Sequence, residues 1–192
     1  AKVRALNSGK FPFPTADEEL GASVREACAV GNLRACTEAS AFASAAVIVV
    51  DVAVHLAPDD DDPVLELDGF RSAIRTVGRH MRPDCLVVIE TTVPPGTTTR
   101  VAAPLLAEEL TARGLPKDRF KLAHCYERVT PGSAYLESIV RMPRVYAGID
   151  EASADACLAF LQKFIDTERY PAVRLADPTS SELGKILENT YR

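Results

Sequence analysis

The chain has 192 residues, 47% hydrophobic and 26% charged, which is enough length and apolar content for one hydrophobic core and too much for intrinsic disorder. Its 22 Lys and Arg against 27 Asp and Glu leave a formal charge of -5, which supplies no bulk attraction to a polyanion, so no nucleic-acid partner is expected. The longest apolar run, residues 45–50, falls far short of the ~20 residues that cross a bilayer, and no membrane span is expected.

The first residues, Ala1-Lys2-Val3-Arg4-Ala5-Leu6, carry neither an initiator Met nor a signal-peptide pattern. They read as the last turns of a helix stopped by Asn7-Ser8-Gly9. After the Pro12 and Pro14 loop, Thr15 stands three residues before Glu18, the spacing of a capping box, and predicts a helix as far as Gly31. Residues 33–36 read as a short strand, with Thr37 capping a short helix through Ala43. The β-branched run Val47-Ile48-Val49-Val50 lacks alternation, as a strand buried on both faces of a parallel sheet does.

The tract Asp59-Asp60-Asp61-Asp62 before Pro63 predicts a solvated loop, because adjacent carboxylates repel and lack the ligand spacing of a calcium loop. Leu67, Phe70, Ile74 and Val77 recur at helical offsets within residues 66–80. Pro83 ends that helix, and residues 85–89 form a second buried strand. Residues 98–113 predict a helix closing at Gly114, and residues 119–125 a third strand. Residues 145–149 read as a further strand, with Asp150 capping a helix that carries Ala154, Leu158, Leu161 and Ile165. Residues 171–175 make the last strand, and a helix beginning at Ser180 runs out at the end of the chain, so both ends read as cut. Strands separated by helical segments imply βαβ units and an α/β fold: a Rossmann-like parallel sheet with helices on both faces.

The five cysteines, Cys28, Cys36, Cys85, Cys125 and Cys157, include no CxxC pair. They suit free thiols in a reducing, cytoplasmic setting. His55, His80 and His124 are too scattered for a zinc site, and no metal is expected.

Ligands of an open parallel sheet bind beyond the carboxyl ends of its strands. Three exits therefore matter: Asp51-Val52-Ala53, the loop Glu90-Thr91-Thr92-Val93-Pro94-Pro95-Gly96-Thr97-Thr98-Thr99, and Tyr126-Glu127-Arg128. In the second, Thr92 sits at the strand exit, the prolines stiffen the backbone, and the free amides of the following helix suit phosphate or ribose oxygens. Glu127 could orient water or transfer a proton. Lys185 and Asn189, four residues apart, share a helix face and could stabilise an oxyanion. Taken singly, each also reads as a capped loop, a surface ion pair or ordinary helix surface.

Together the motifs carry a resemblance. Leu6-Asn7-Ser8-Gly9 with Pro12, Glu90-Thr91-Thr92-Val93-Pro94-Pro95-Gly96-Thr97, Glu127-Arg128-Val129-Thr130-Pro131-Gly132 and Glu182-Leu183-Gly184-Lys185-Ile186-Leu187-Glu188-Asn189-Thr190-Tyr191-Arg192 resemble, in order and spacing, the UDP-glucose/GDP-mannose dehydrogenase family. The Glu-Arg-Val-x-Pro-Gly form is most similar to the branch that oxidises UDP-N-acetylmannosamine.

The resemblance implies NAD as cofactor and a nucleotide sugar as substrate. It further implies oxidation of the sugar 6-hydroxymethyl to a carboxylate, through an aldehyde and a cysteine-linked thiohemiacetal and thioester. By resemblance Thr92 lies near the nicotinamide and the catalytic water, and Glu127 assists thioester hydrolysis. Lys185 and Asn189 contact the reacting oxygen, and Asp51, Val52, Thr91, Thr92 and Glu127 line the cofactor. The resemblance makes residues 1–178 a partial NAD-binding domain lacking the first strand and its glycine-rich turn. Residues 179–192 become the start of a central helix through which the intact protein forms a homodimer. None of the five cysteines matches the family's catalytic position, so the 192-residue chain is expected to be inactive alone.

Three departures stand out. Tyr126 replaces a proline, Thr91 replaces a serine, and Asp51-Val52-Ala53 replaces a Val-Pro-x-Pro segment, the last of these near the cofactor path. A non-catalytic sugar-nucleotide binding or scaffolding relic is the alternative, against which the retained Glu127 argues. A β-hydroxyacid dehydrogenase does not suit the Thr92 loop or the Glu127-Arg128 turn.

Overall fold

The computed structural model describes residues 1–56, 65–129 and 132–191. The acidic tract 59–62 with Pro63, and Thr130 and Pro131 of the third motif, lie outside the described residues. The chain divides into two compact units, one of residues Ala1–Glu38 and Arg128–Met142, the other of Ala39–Glu127 and Pro143–Arg192.

The first unit is helical, with α1 (Lys2–Asn7), α2 (Glu18–Ala29) and α5 (Tyr135–Val140). Asp17, not Thr15, caps α2. Its Oδ1 accepts from Leu20 N at 2.8 Å while its Oδ2 accepts from Leu136 N at 2.8 Å, so one carboxylate ties two helices together. Those amide donors hold the Asp17 carboxyl below its ordinary range. Thr15 Oγ1 accepts instead from Asp17 N, at 3.1 Å. The strand expected at residues 33–36 does not form. The Asn7 side chain instead donates to Ala35 O at 2.9 Å and accepts from Ala35 N at 2.7 Å, taking the backbone groups that a ladder partner would need.

The second unit carries the sheet. Its strands are β1 (Val47–Val50), β4 (Leu86–Ile89), β5 (Lys121–Cys125), β6 (Arg144–Gly148) and β7 (Ala172–Arg174), in that spatial order. The helices α3 (Asp68–His80), α4 (Ala103–Ala112), α6 (Glu151–Leu161) and α7 (Pro178–Tyr191) accompany it. A two-stranded antiparallel pair, β2 (His55–Leu56) with β3 (Leu65–Glu66), is separate from the main sheet. The short helix expected after Thr37 and through Ala43 is a 3-10 turn over Ala39–Ser44.

All four residues of β4 are buried, as the unalternated apolar run predicts. Val87 and Ile89 face a cluster with Phe70, Ile74 and Leu106 from α3 and α4, while Leu86 and Val88 face Ala154, Cys157 and Leu161 from α6. Helices thus cover both faces at β4, whereas β1, at the end of the strand order, buries Ile48 and Val50 and leaves Val49 exposed, so the burial on both faces expected of it is not found.

The sheet is mixed rather than wholly parallel. β1, β4 and β5 run parallel, but β6 pairs antiparallel with β5, through Cys125↔Tyr146, and β7 then runs parallel to β6. Because β6 is antiparallel to β5, it begins at the edge where β5 ends.

The helix expected from residue 98 opens with a π-helical turn, Thr98–Ala102. Pro104 has no N–H for the residue 100 carbonyl and its ring crowds that oxygen, which a wider turn relieves. Asp150 caps α6 as expected, accepting from Ser153 N at 2.7 Å. Among the described residues no helix is long and apolar enough to cross a membrane.

Candidate active site

The carboxyl ends of β1, β4 and β5 lie side by side, so the residues that follow them, Asp51, Glu90 and Tyr126-Glu127, gather at one edge. Because β6 is antiparallel, its first residue, Arg144, arrives at the same edge, and its Nη1 lies 3.4 Å from Tyr126 O. Arg144 is almost wholly buried, at 2% exposure. Burial raises the Glu90 carboxyl pKa, Arg144 opposes the shift, and the charges of Asp51 and Glu127 add to it. Glu90 thus feels the charges of Arg144, Asp51 and Glu127, and Lys185 pairs with Glu127, which makes this edge strongly polar at the end of an apolar sheet.

Lys185 comes from α7, whose start is capped by Asp177, with Ser180 N 3.0 Å from Asp177 Oδ1. Its Nζ donates to Glu127 O at 2.9 Å and pairs with Glu127 Oε1 at 3.1 Å. The lysine side chain is 5% exposed and that of Glu127 29%. A buried ammonium needs such partners, since an unpaired charge at this depth costs several kcal/mol (roughly 3–5 for breaking a pair). Tyr126, the residue that replaces the family proline, is buried, with its ring centroid 5.5 Å from Nζ, within cation–π range.

The Thr92 loop is braced from both ends. Thr91 is buried. Its hydroxyl accepts from Val52 N at 2.8 Å and donates to Val50 O at 3.2 Å, linking the exits of β1 and β4. Thr92 itself is exposed, as is Asp51, and Val52 is half-buried. Gly96 has φ 91°, a left-handed conformation that favours glycine, and the flexible Arg100 guanidinium fills the space beside it.

The expectation of free helix-terminal amides in this loop is corrected. Gly96 N donates to Glu182 Oε2, and Thr98 N donates to Glu182 Oε1 at 2.7 Å. A carboxylate of the chain itself already occupies the place where a phosphate would bind.

Glu127 and Lys185 are therefore brought together, with Thr91 and Val52 joined at the neighbouring exits. Asn189 is not joined to them. It lies one turn beyond Lys185 on α7 and is exposed.

The sequence assigns no site role to Glu182, Ser181, His124 or Arg144. Glu182 is three residues before Lys185, a same-face helical spacing that could have flagged it. His124 and Ser181 are both buried, with Nδ1 2.8 Å from Oγ, and they tie β5 to α7. Burial lowers the His124 pKa to about 4, with the Thr91 backbone opposing the shift.

The groups available to a dinucleotide at this edge are the exposed Thr92 hydroxyl and the exposed Asp51 carboxylate at adjacent strand exits. They suit a ribose or a carboxamide. The Glu182-capped turn does not suit a pyrophosphate.

The profile of the UDP-glucose/GDP-mannose dehydrogenase family, NAD binding domain, matches residues 1–165. The chain is 31% identical over 95% of its length to the UDP-N-acetyl-D-mannosamine dehydrogenase of Methanocaldococcus jannaschii, and 31% identical over 99% to that of Pyrococcus horikoshii. It spans 39% and 42% of those relatives' own lengths. Among solved structures, the NDP-N-acetyl-D-galactosaminuronic acid dehydrogenase of Methanosarcina mazei superposes with a TM-score of 0.86 at 28% identity, covering 100% of this chain and 39% of that one. The mixed sheet with helices on both faces agrees with a Rossmann-like dehydrogenase fold, and the chain belongs to the UDP-glucose/GDP-mannose dehydrogenase family.

Proposed function

We propose that this chain supplies part of an NAD-dependent nucleotide-sugar dehydrogenase that oxidises the sugar 6-hydroxymethyl group to a carboxylate. The substrate is a UDP-N-acetylhexosamine such as UDP-N-acetylmannosamine, or UDP-glucose. The observation that carries this reading is the buried Lys185 locked onto Glu127 at the edge where Thr92 stands exposed.

Two of the three ammonium protons of Lys185 are taken by the Glu127 carbonyl and carboxylate oxygens, and the third serves an oxygen that gains negative charge during reaction. Held by that contact, Glu127 still reaches solvent and takes a proton from water in the hydrolytic step. NAD, when bound, accepts the hydride. Thr92 and Asp51, both exposed at adjacent strand exits, orient its sugar and amide groups. The exposed Leu183, Leu187 and Tyr191 of α7, spaced four residues apart, support a homodimer formed through this helix.

The test is oxidation by the complete gene product, with whatever residues flank 1–192. UDP-N-acetylmannosamine, UDP-N-acetylglucosamine, UDP-glucose and GDP-mannose are offered with NAD. NADH formation together with a uronate product is expected with a UDP sugar. A folded protein that oxidises none of the four refutes the reading.

A further inference from the structure

The side of α7 that faces the sheet is polar. Its buried residues are Pro178, Ser181, Glu182 and Lys185, with no large aliphatic side chain among them. Three ties hold it. Ser181 bonds His124 on β5, Lys185 bonds Glu127 beyond β5, and Glu182 bonds Gly96 and Thr98 beyond β4. Glu182 has no exposed surface. It accepts one backbone N–H on each oxygen, at the amino end of a helical stretch whose partial positive charge faces it.

The loop that Glu182 grips is otherwise stiffened from within. Thr97 Oγ1 donates to Pro94 O at 2.7 Å, and Arg100 Nη2 donates to Pro95 O at 2.7 Å. A stiff loop moves as a unit, so whatever fixes Gly96 and Thr98 also fixes Thr92. On α7, Glu182 lies one turn before Lys185 and on the same face.

We infer that Glu182 is a positioning residue, whose buried carboxylate clamps the Gly96 and Thr98 amides and thereby sets the Thr92 loop at a fixed place relative to Lys185. The inference rests on the proposed dehydrogenase reading. Both amides need an acceptor, and only a carboxylate of this length supplies two. Glutamine offers one oxygen and turns its NH2 toward the other N–H, leaving a buried donor unsatisfied. A loop released in this way shifts reacting groups relative to one another while leaving groups that bind the distant parts of the substrate in place, and a displacement of ~1 Å costs on the order of a hundredfold in rate.

The experiment compares the complete gene product with its Glu182→Gln variant, by steady-state kinetics on the UDP sugar that the wild type oxidises and by amide hydrogen exchange at Gly96 and Thr98. The expected result is a folded variant with kcat lowered about tenfold to a hundredfold, KM for sugar and NAD little changed, and protection lost at the two amides. A folded variant whose kcat stays within about twofold of wild type overturns the inference. So does a loss of rate that tracks only the fraction of folded protein, because that marks a structural role. Rapid exchange of both amides in the wild type overturns the clamp itself. If Glu182→Gln does not fold, Glu182→Asp takes its place, keeping the charge but one methylene too short to bridge both amides, and the same outcomes decide. A wild type that oxidises no nucleotide sugar refutes the dehydrogenase reading instead, and the amide exchange then decides the clamp alone.

Discussion

His124 makes stability depend on pH in a way that one substitution isolates. The side chain is wholly buried between β5 and α7, bonded to Ser181, and burial lowers its pKa from 6.5 to about 4. In the folded protein the ring stays neutral until the pH approaches 4, whereas in the unfolded chain it takes up a proton near 6.5. Between those values the unfolded state binds more protons, so stability is lost as pH falls through the window. With these two values the loss between pH 7.5 and pH 5 is RT ln[(1 + 10^1.5)/(1 + 10^-1)], about 2 kcal/mol. Asp17 and Asp177, whose pKa values are lowered by hydrogen bonds from backbone amides, also lose stability toward acid, and Glu90, raised by burial, opposes them. All three are retained in His124→Gln, which still bonds Ser181 but does not titrate. Denaturant unfolding of both proteins at the two pH values therefore gives a difference of differences that belongs to the imidazole. Wild type should lose about 2 kcal/mol more than the variant. Parallel losses, agreeing within about 0.5 kcal/mol, would show that the ring is not held neutral by the fold and would refute the reasoning.

Lys185→Ala in the complete enzyme should lower kcat by about two decades, the cost of one oxyanion donor, with KM for NAD little changed; a variant that keeps most of its kcat excludes Lys185 from the chemistry. Gly148→Ala should destabilise the second unit by about 1–3 kcal/mol, because a Cβ at residue 148 would lie 2.6 Å from Asp150 O and 2.8 Å from Ala154 Cα, backbone atoms of the α6 amino-terminal turn. Thermal unfolding reads this as a fall in Tm of several degrees, and an unchanged Tm contradicts the packing.

The elements that were legible in the sequence are those with one dominant local signal. The apolar run at β4 announces a buried strand, the β-branched run at β1 announces a strand though not its exposed Val49, and the spacing of Phe70, Ile74 and Val77 announces α3, where all three are buried. Where two local signals compete, a distant contact decides. Asp17 displaces Thr15 as the cap of α2 because Leu136, 119 residues away, gives its second oxygen a partner. The strand expected at residues 33–36 fails because Asn7, 28 residues from Ala35, takes both backbone groups. The reversal of β6 is a property of the sheet topology, which no local periodicity encodes.

The site divides along the same line. Lys185 was legible as a residue type on a helix face, but its partner is 58 residues away and one of its two bonds goes to a backbone carbonyl, which carries no residue identity. Glu182 was hidden for a deeper reason. Hydrophobic periodicity assigns the inward face of a helix to its apolar stripe, and on α7 that stripe is Leu183, Leu187 and Tyr191, all exposed, while Ser181, Glu182 and Lys185 are buried. The inversion follows from what α7 covers. The middle of a sheet presents side chains, and an apolar helix face matches it. The carboxyl edge presents strand exits and the start of a helix, whose N–H and C=O groups have run out of ladder partners and cost roughly 1–3 kcal/mol each if buried unpaired. A helix laid across such an edge has to bring acceptors and donors, so its buried face is the polar one, and the same side chains that satisfy the edge are those placed to meet a ligand there.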